Sequence, residues 1–156
     1  MIATMNAPER HARTAATDRL LAAARARIST IDAHEAALLR ANGATLVDTR
    51  PAAQRAEFGE VDGAVIIERN VLEWRLDPDG DHRLTTIDHS RPIVVFCQEG
   101  YSSSLAVASL VDLGLTDVHD LAGGFAAWSA AGLPVQPASP PSAPPRSDPP
   151  QSGQPR

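Results

Sequence analysis

The sequence predicts an α/β domain built on a mainly parallel β-sheet, and three observations carry that reading. Ile93-Val94-Val95-Phe96 is an unbroken apolar run rich in β-branched residues, as expected of a strand buried on both faces. A short polar loop with one glycine follows, and then the apolar-periodic run Leu105 to Leu113, stopped by Gly114. That order is strand, tight loop, helix. Earlier, residues 28 to 48 read strand, helix, strand, a βαβ unit whose two strands run parallel.

Composition bounds the rest. A chain of 156 residues with 43% apolar content holds one domain with a real core. A net charge of −5 gives no case for nucleic acid or an anionic membrane surface as partner. One cysteine excludes an intramolecular disulfide and a cysteine-rich metal site. No apolar run approaches the roughly 18 residues that span a bilayer. The secretory candidate near Leu20 to Ala24 is too short, and the cytoplasm is the expected compartment.

Residues 1 to 27 form an N-terminal extension. Its Ala- and Arg-rich stretch from Pro8 to Arg27 suggests one helix, packed on the domain edge or used for dimerisation. A transit peptide is the alternative, opposed by Glu9 and Asp18. Ile28 to Ile31 is a short strand. Asp32 caps a helix through Ala36, Leu38 and Leu39 to Asn42, with Gly43 just beyond its end. Ala44 to Asp48 is the next strand, and Arg55 and Glu57 belong to an exposed charged turn. Val65-Ile66-Ile67 reads as a short buried strand. Residues 70 to 78 give one or two helical turns, stopped by Pro78 and Gly80. Residues 79 to 91 are a polar surface loop whose His82 and His89 lack partners at metal-ligand spacing. Asp117 to Leu121 is the last strand. Gly123-Gly124 then admits a tight entry into a helix carrying Trp128, a core anchor. From residue 136 to 156 proline and serine dominate, and disorder is expected.

Cys97 is the first loop residue after the central strand. A loop folded over a helix N-terminus gathers backbone N–H groups and favours an anion there. A thiol at such a spot loses its proton more easily, because the thiolate is the stabilised form. A lone cysteine after a buried strand also serves commonly as a small hydrophobe in a core. Gly100 and the serines at 102 to 104 suit a turn and a helix cap, which favours the nucleophile.

Cys97-Gln98-Glu99-Gly100-Tyr101-Ser102-Ser103 resembles the active-site loop of rhodanese-like sulfurtransferases, Cys-x-x-Gly-x-Ser/Thr-Ser. Leu46-Val47-Asp48-Thr49-Arg50 is similar to that family's first core strand, and Gly59-Glu60-Val61-Asp62-Gly63-Ala64 to its Gly-His-Ile-Pro-Gly-Ala turn. Leu121 to Trp128, with Gly132-Leu133-Pro134-Val135, resembles its closing segment. The matches keep their order across residues 28 to 135. The resemblance implies a rhodanese-like three-layer α/β/α domain with a central, mainly parallel, five-stranded sheet, of the single-domain bacterial type.

The function implied is sulfur transfer from thiosulfate or a persulfide donor to a thiol or cyanide, through a Cys97 persulfide and without metal or organic cofactor. Gln98, Glu99, Gly100, Tyr101, Ser102 and Ser103 would bind substrate through backbone and hydroxyls. Asp48 and Arg50 would brace the loops, and Trp74 would line the pocket unless it is simply a core or half-exposed aromatic. The partners implied are a small sulfur donor and a thiol acceptor, with the protein a monomer or homodimer. Glu60 and Asp62 depart from the turn pattern, at scaffold positions. Glu99 departs as well: many thiosulfate-active loops carry a cation there, and a carboxylate opposes thiolate and anionic donor alike. Two other classes compete. A phosphatase or arsenate reductase needs a loop one residue longer with a clamping arginine, and no arginine or lysine lies between 92 and 134. A non-catalytic binding or sulfur-relay module would use one of the termini.

Overall fold

The computed structural model describes residues 14–140. Twelve elements follow in order: α1 (Ala16–Arg25), β1 (Ser29–Ile31), α2 (Ala33–Ala41), β2 (Thr45–Asp48), α3 (Ala52–Phe58), β3 (Val65–Ile66), a 3₁₀ turn (Arg69–Val71), α4 (Leu72–Leu76), β4 (Ile93–Phe96), α5 (Ser102–Leu113), β5 (Val118–Leu121) and α6 (Gly124–Ala130). The five strands form one all-parallel sheet in the order β1-β5-β4-β2-β3.

β4 is the central strand, and all four of its residues are buried. Its period of two divides it between two cores. Ile93 and Val95 pack with Leu72, Leu76, Val107 and Leu110 beneath α4 and α5. Val94 and Phe96 pack with Ala36, Phe125 and Trp128 beneath α2 and α6. Helices therefore cover both faces, which gives three layers. α1 lies against α5 as an outer addition.

The predicted elements stand at or near their expected places. Asp32 accepts from the Glu35 amide at 2.8 Å as the N-cap of α2. Residues 52 to 58 form a helix where a turn was expected. β3 is a sheet edge rather than a fully buried strand: Ile66 is exposed, Val65 is partly buried and Ile67 is buried. The N-terminal helix begins at Ala16; Pro8 lies outside the described residues, as does the tail beyond residue 140. The packed chain continues past 135, since Gln136 and Glu60 exchange backbone hydrogen bonds at 2.7 and 2.8 Å.

The sheet order places the site. The chain leaves β2 outward to β3 and leaves β4 in the other direction, to β5. The loops after β2 and β4 therefore diverge, and a crevice opens at the carboxyl ends of these neighbouring strands.

Candidate active site

Cys97 follows β4 directly, and its loop turns into α5 over five residues. Gly100 makes the turn at φ +84°, where a Cβ would stand 2.7 Å from the Gly123 amide nitrogen. The loop carbonyls are drawn outward by the next helix, with the Phe125 amide donating to Cys97 O at 2.8 Å and the Ala126 amide to Gln98 O at 2.9 Å. Gly124 is needed at that crossing, because a Cβ there would sit 2.4 Å from the Cys97 carbonyl oxygen.

With carbonyls turned out, amides turn in. The Gly100 N–H donates to Cys97 Sγ at 3.2 Å and the Ser103 N–H at 3.4 Å, while Ser103 Oγ lies 3.2 Å from the sulfur. The three serines are the first turn of α5 rather than a cap before it. Tyr101 holds the N-cap position with no side-chain bond, and of the first-turn amides the Ser103 N–H faces the sulfur while the Ser104 N–H donates to Tyr101 O. Burial pushes the Cys97 thiol up, but the Ser102 and Ser103 hydroxyls and the Ser103 and Gly100 amides outweigh it and hold the thiol below its ordinary value.

A second cluster braces the loop from the side. Arg50 is fully buried and grips Asp48 with Nε and Nη2, the latter at 2.7 Å. Its Nη1 donates to Gln98 Oε1 at 2.9 Å and its Nη2 to Gly59 O at 2.8 Å, while the guanidinium stacks 4.0 Å from the Phe125 ring centroid. One side chain thus ties β2, the 59–64 turn, the cysteine loop and α6 together. Glu60 is buried as well, paired with Arg55 at 3.1 Å, so Arg55 is part of the scaffold and not of an exposed turn.

The cysteine lines an open cleft of about 520 Å³, walled also by Thr49, Pro51, Gln54, Phe58, Arg69, Glu99, Tyr101 and Ser102. Trp74 is not in that wall. α4 buries Leu72 and Leu76, which share one face at a spacing of four, and this turns Trp74 outward to 59% exposure. Phe58 and Arg69 hold the wall instead. Their segment follows β2 around the crevice, which their sequence context did not signal. Arg69 is the pocket's partly exposed cation, tied to Glu73 at 2.8 Å. Among the described residues no cluster of His, Cys, Asp and Glu is placed to hold a metal ion.

Behind the loop stands a third cluster. Ser104 Oγ lies 3.1 Å from Gly100 O and 2.6 Å from Asp120 Oδ2, while Arg25 at the end of α1 donates to Gly100 O at 2.7 Å and to Ser104 Oγ at 3.1 Å. The spacing of four between Gly100 and Ser104 on a helix start is the one signal in the sequence for this contact. Arg25 and Asp120 have none.

Comparison with known proteins agrees with this fold. The family model of the Rhodanese-like domain matches residues 32–131. A thiosulfate sulfurtransferase GlpE of Ectopseudomonas mendocina is 33% identical over 100 residues, covering 64% of this chain and 84% of the relative. A Rhodopseudomonas palustris structure, of unknown function and described as a possible tyrosine phosphatase, superposes with a TM-score of 0.72 at 28% identity, over 80% of this chain and 96% of that one. A thiosulfate sulfurtransferase from Pseudomonas aeruginosa gives 0.58 at 31% identity, covering 70% of this chain and 19% of that larger protein.

Proposed function

The chain belongs to the rhodanese-like domain family, and on that premise we propose that it is a sulfurtransferase carrying sulfane sulfur on Cys97. The supporting observation is the pair of amides, Gly100 and Ser103, that point at Sγ on the wall of an open cleft. The Cys97 thiolate attacks the outer sulfur of thiosulfate. A sulfur–sulfur bond forms to the cysteine, the original sulfur–sulfur bond breaks, and sulfite leaves with its electron pair. The terminal persulfide sulfur carries the negative charge, within reach of the first-turn amides and the Ser102 and Ser103 hydroxyls. Cyanide or a thiolate then attacks that sulfur, and the Cys97 thiolate is released.

Donor choice follows from the wall. Glu99 opposes a dianion, whereas Arg69 attracts one and is already paired with Glu73. Persulfide donors, with less negative charge near the loop, suit this site better than thiosulfate. The same balance disfavours the phosphatase reading. Arg50 spends four of its five N–H donors on Asp48, Gln98 and Gly59, which leaves no pair of donors to clamp a phosphoryl group.

Intact-protein mass after incubation with thiosulfate or an organic persulfide tests the reading. Wild type should gain one sulfur atom, lost again to cyanide, and Cys97→Ser should gain none. No gain with either donor would leave a binding module, and phosphate-ester hydrolysis without gain would restore the phosphatase.

A further inference from the structure

We propose that Arg25 is a positioning residue for the Cys97 thiolate, acting through Gly100 from a helix that precedes the family-matched segment. The match begins at residue 32, whereas α1 ends at Arg25 and packs on α5. The Arg25 guanidinium nevertheless reaches the cysteine loop, donating from Nη2 to Gly100 O at 2.7 Å and from Nε to Ser104 Oγ at 3.1 Å. It also lies 5.8 Å from the Tyr101 ring centroid.

Gly100 is the joint that matters. Its N–H points at Sγ from 3.2 Å, and its carbonyl is the group Arg25 holds. A glycine at φ +84° has the greatest backbone freedom in the loop, and contacts from outside must fix it. Ser104 cannot do so alone. Its hydroxyl has one proton and two neighbouring acceptors, Gly100 O at 3.1 Å and Asp120 Oδ2 at 2.6 Å. The shorter contact, to Asp120, competes for that proton, and the Arg25 donation at 2.7 Å is the shorter of the two contacts on the Gly100 carbonyl. The other charged groups around the loop are committed or distant from this joint: Arg50 to Asp48, Arg69 to Glu73, and Glu99 facing solvent.

The test uses the full-length chain and its single cysteine. Alkylation of Cys97 by iodoacetamide is followed against pH for wild type, Arg25→Met and Arg25→Lys. Loss of the guanidinium should move the alkylation midpoint upward by about one pH unit, a roughly tenfold change in the ionisation constant of the thiol. Lysine should recover part of the shift through its charge, and not the whole, because one ammonium cannot reproduce the planar two-point contact. A purely structural role would lower the melting temperature and leave the midpoint in place. An unmoved midpoint in Arg25→Met overturns the proposal, and so does full rescue by lysine. Should the Met variant not fold, a wild-type midpoint in Arg25→Lys overturns it and a raised one supports it. The inference rests on Cys97 as the sulfur carrier, but alkylation needs no sulfur donor. A wild type that takes up no sulfur therefore refutes the function reading without moving this one.

Discussion

Two buried carboxylates stand on opposite sides of the cysteine loop, Asp48 at the end of β2 and Asp120 in β5, each 1% exposed. Their surroundings differ. Both Asp48 oxygens are engaged by Arg50, two residues on, and the Arg50 amide adds a bond at 3.0 Å. Asp120 has the Ser104 hydroxyl on Oδ2 and no partner on Oδ1. Burial raises the Asp120 carboxyl above its ordinary range, against the pull of the Ser104 and Ser103 hydroxyls and the Arg25 charge. Equal burial thus has unequal consequences. A pair closed within three residues is assembled by the strand end itself. The carboxylate whose partners come from α1 and α5 stays short of one hydrogen bond, and its loop depends on distant elements.

Breaking the closed pair should have the largest effect on stability. Arg50→Met leaves Asp48 buried and uncompensated, and should lower the unfolding free energy by about 3–5 kcal/mol in urea denaturation. A loss below about 1 kcal/mol would show that the brace is ornamental.

The open side should respond in the opposite direction. Because folding raises the Asp120 pKa, its contribution is full below the unfolded value of 3.8 and is lost as pH rises through the folded value. Asp120→Asn cannot ionise, so it should exceed wild type at neutral pH by up to about 1 kcal/mol, the lead shrinking in acid. Denaturation curves at both pH values check the sign, and a lead that grows in acid would reverse the assignment.

The smallest effect belongs to the exposed rim. Glu99→Lys should lower the KM for thiosulfate about threefold in a cyanide-coupled assay, the scale of one exposed charge. A KM that stays put or rises would remove Glu99 from donor choice.

Legibility in the sequence followed the range of each interaction. The strand at 93–96, the Asp32 cap and the loop from Cys97 to Ser103 each fall within a dozen residues, and periodicity or capping chemistry exposes them. The bracing role of Asp48 and Arg50 rested on the family resemblance, not on periodicity or capping. For Trp74 the sequence left pocket lining and a core or half-exposed aromatic both open, and Leu72 and Leu76 decide it by turning α4 so that Trp74 faces outward. Arg69 and Phe58 went unseen because the crevice is made by diverging loops, and those loops show no pattern before the sheet order is known.

By itself, then, the sequence determined the α/β class, a candidate nucleophile and the turn that carries it, since glycine, serine and a β-branched run act locally through backbone preference. Only the tertiary structure decided what surrounds that nucleophile. The outward pull on the loop carbonyls comes from α6, and the grip on Gly100 comes from a helix 75 residues earlier in the chain. Such contacts exist because a parallel sheet brings strand ends together irrespective of their distance along the chain, and no local pattern encodes that meeting.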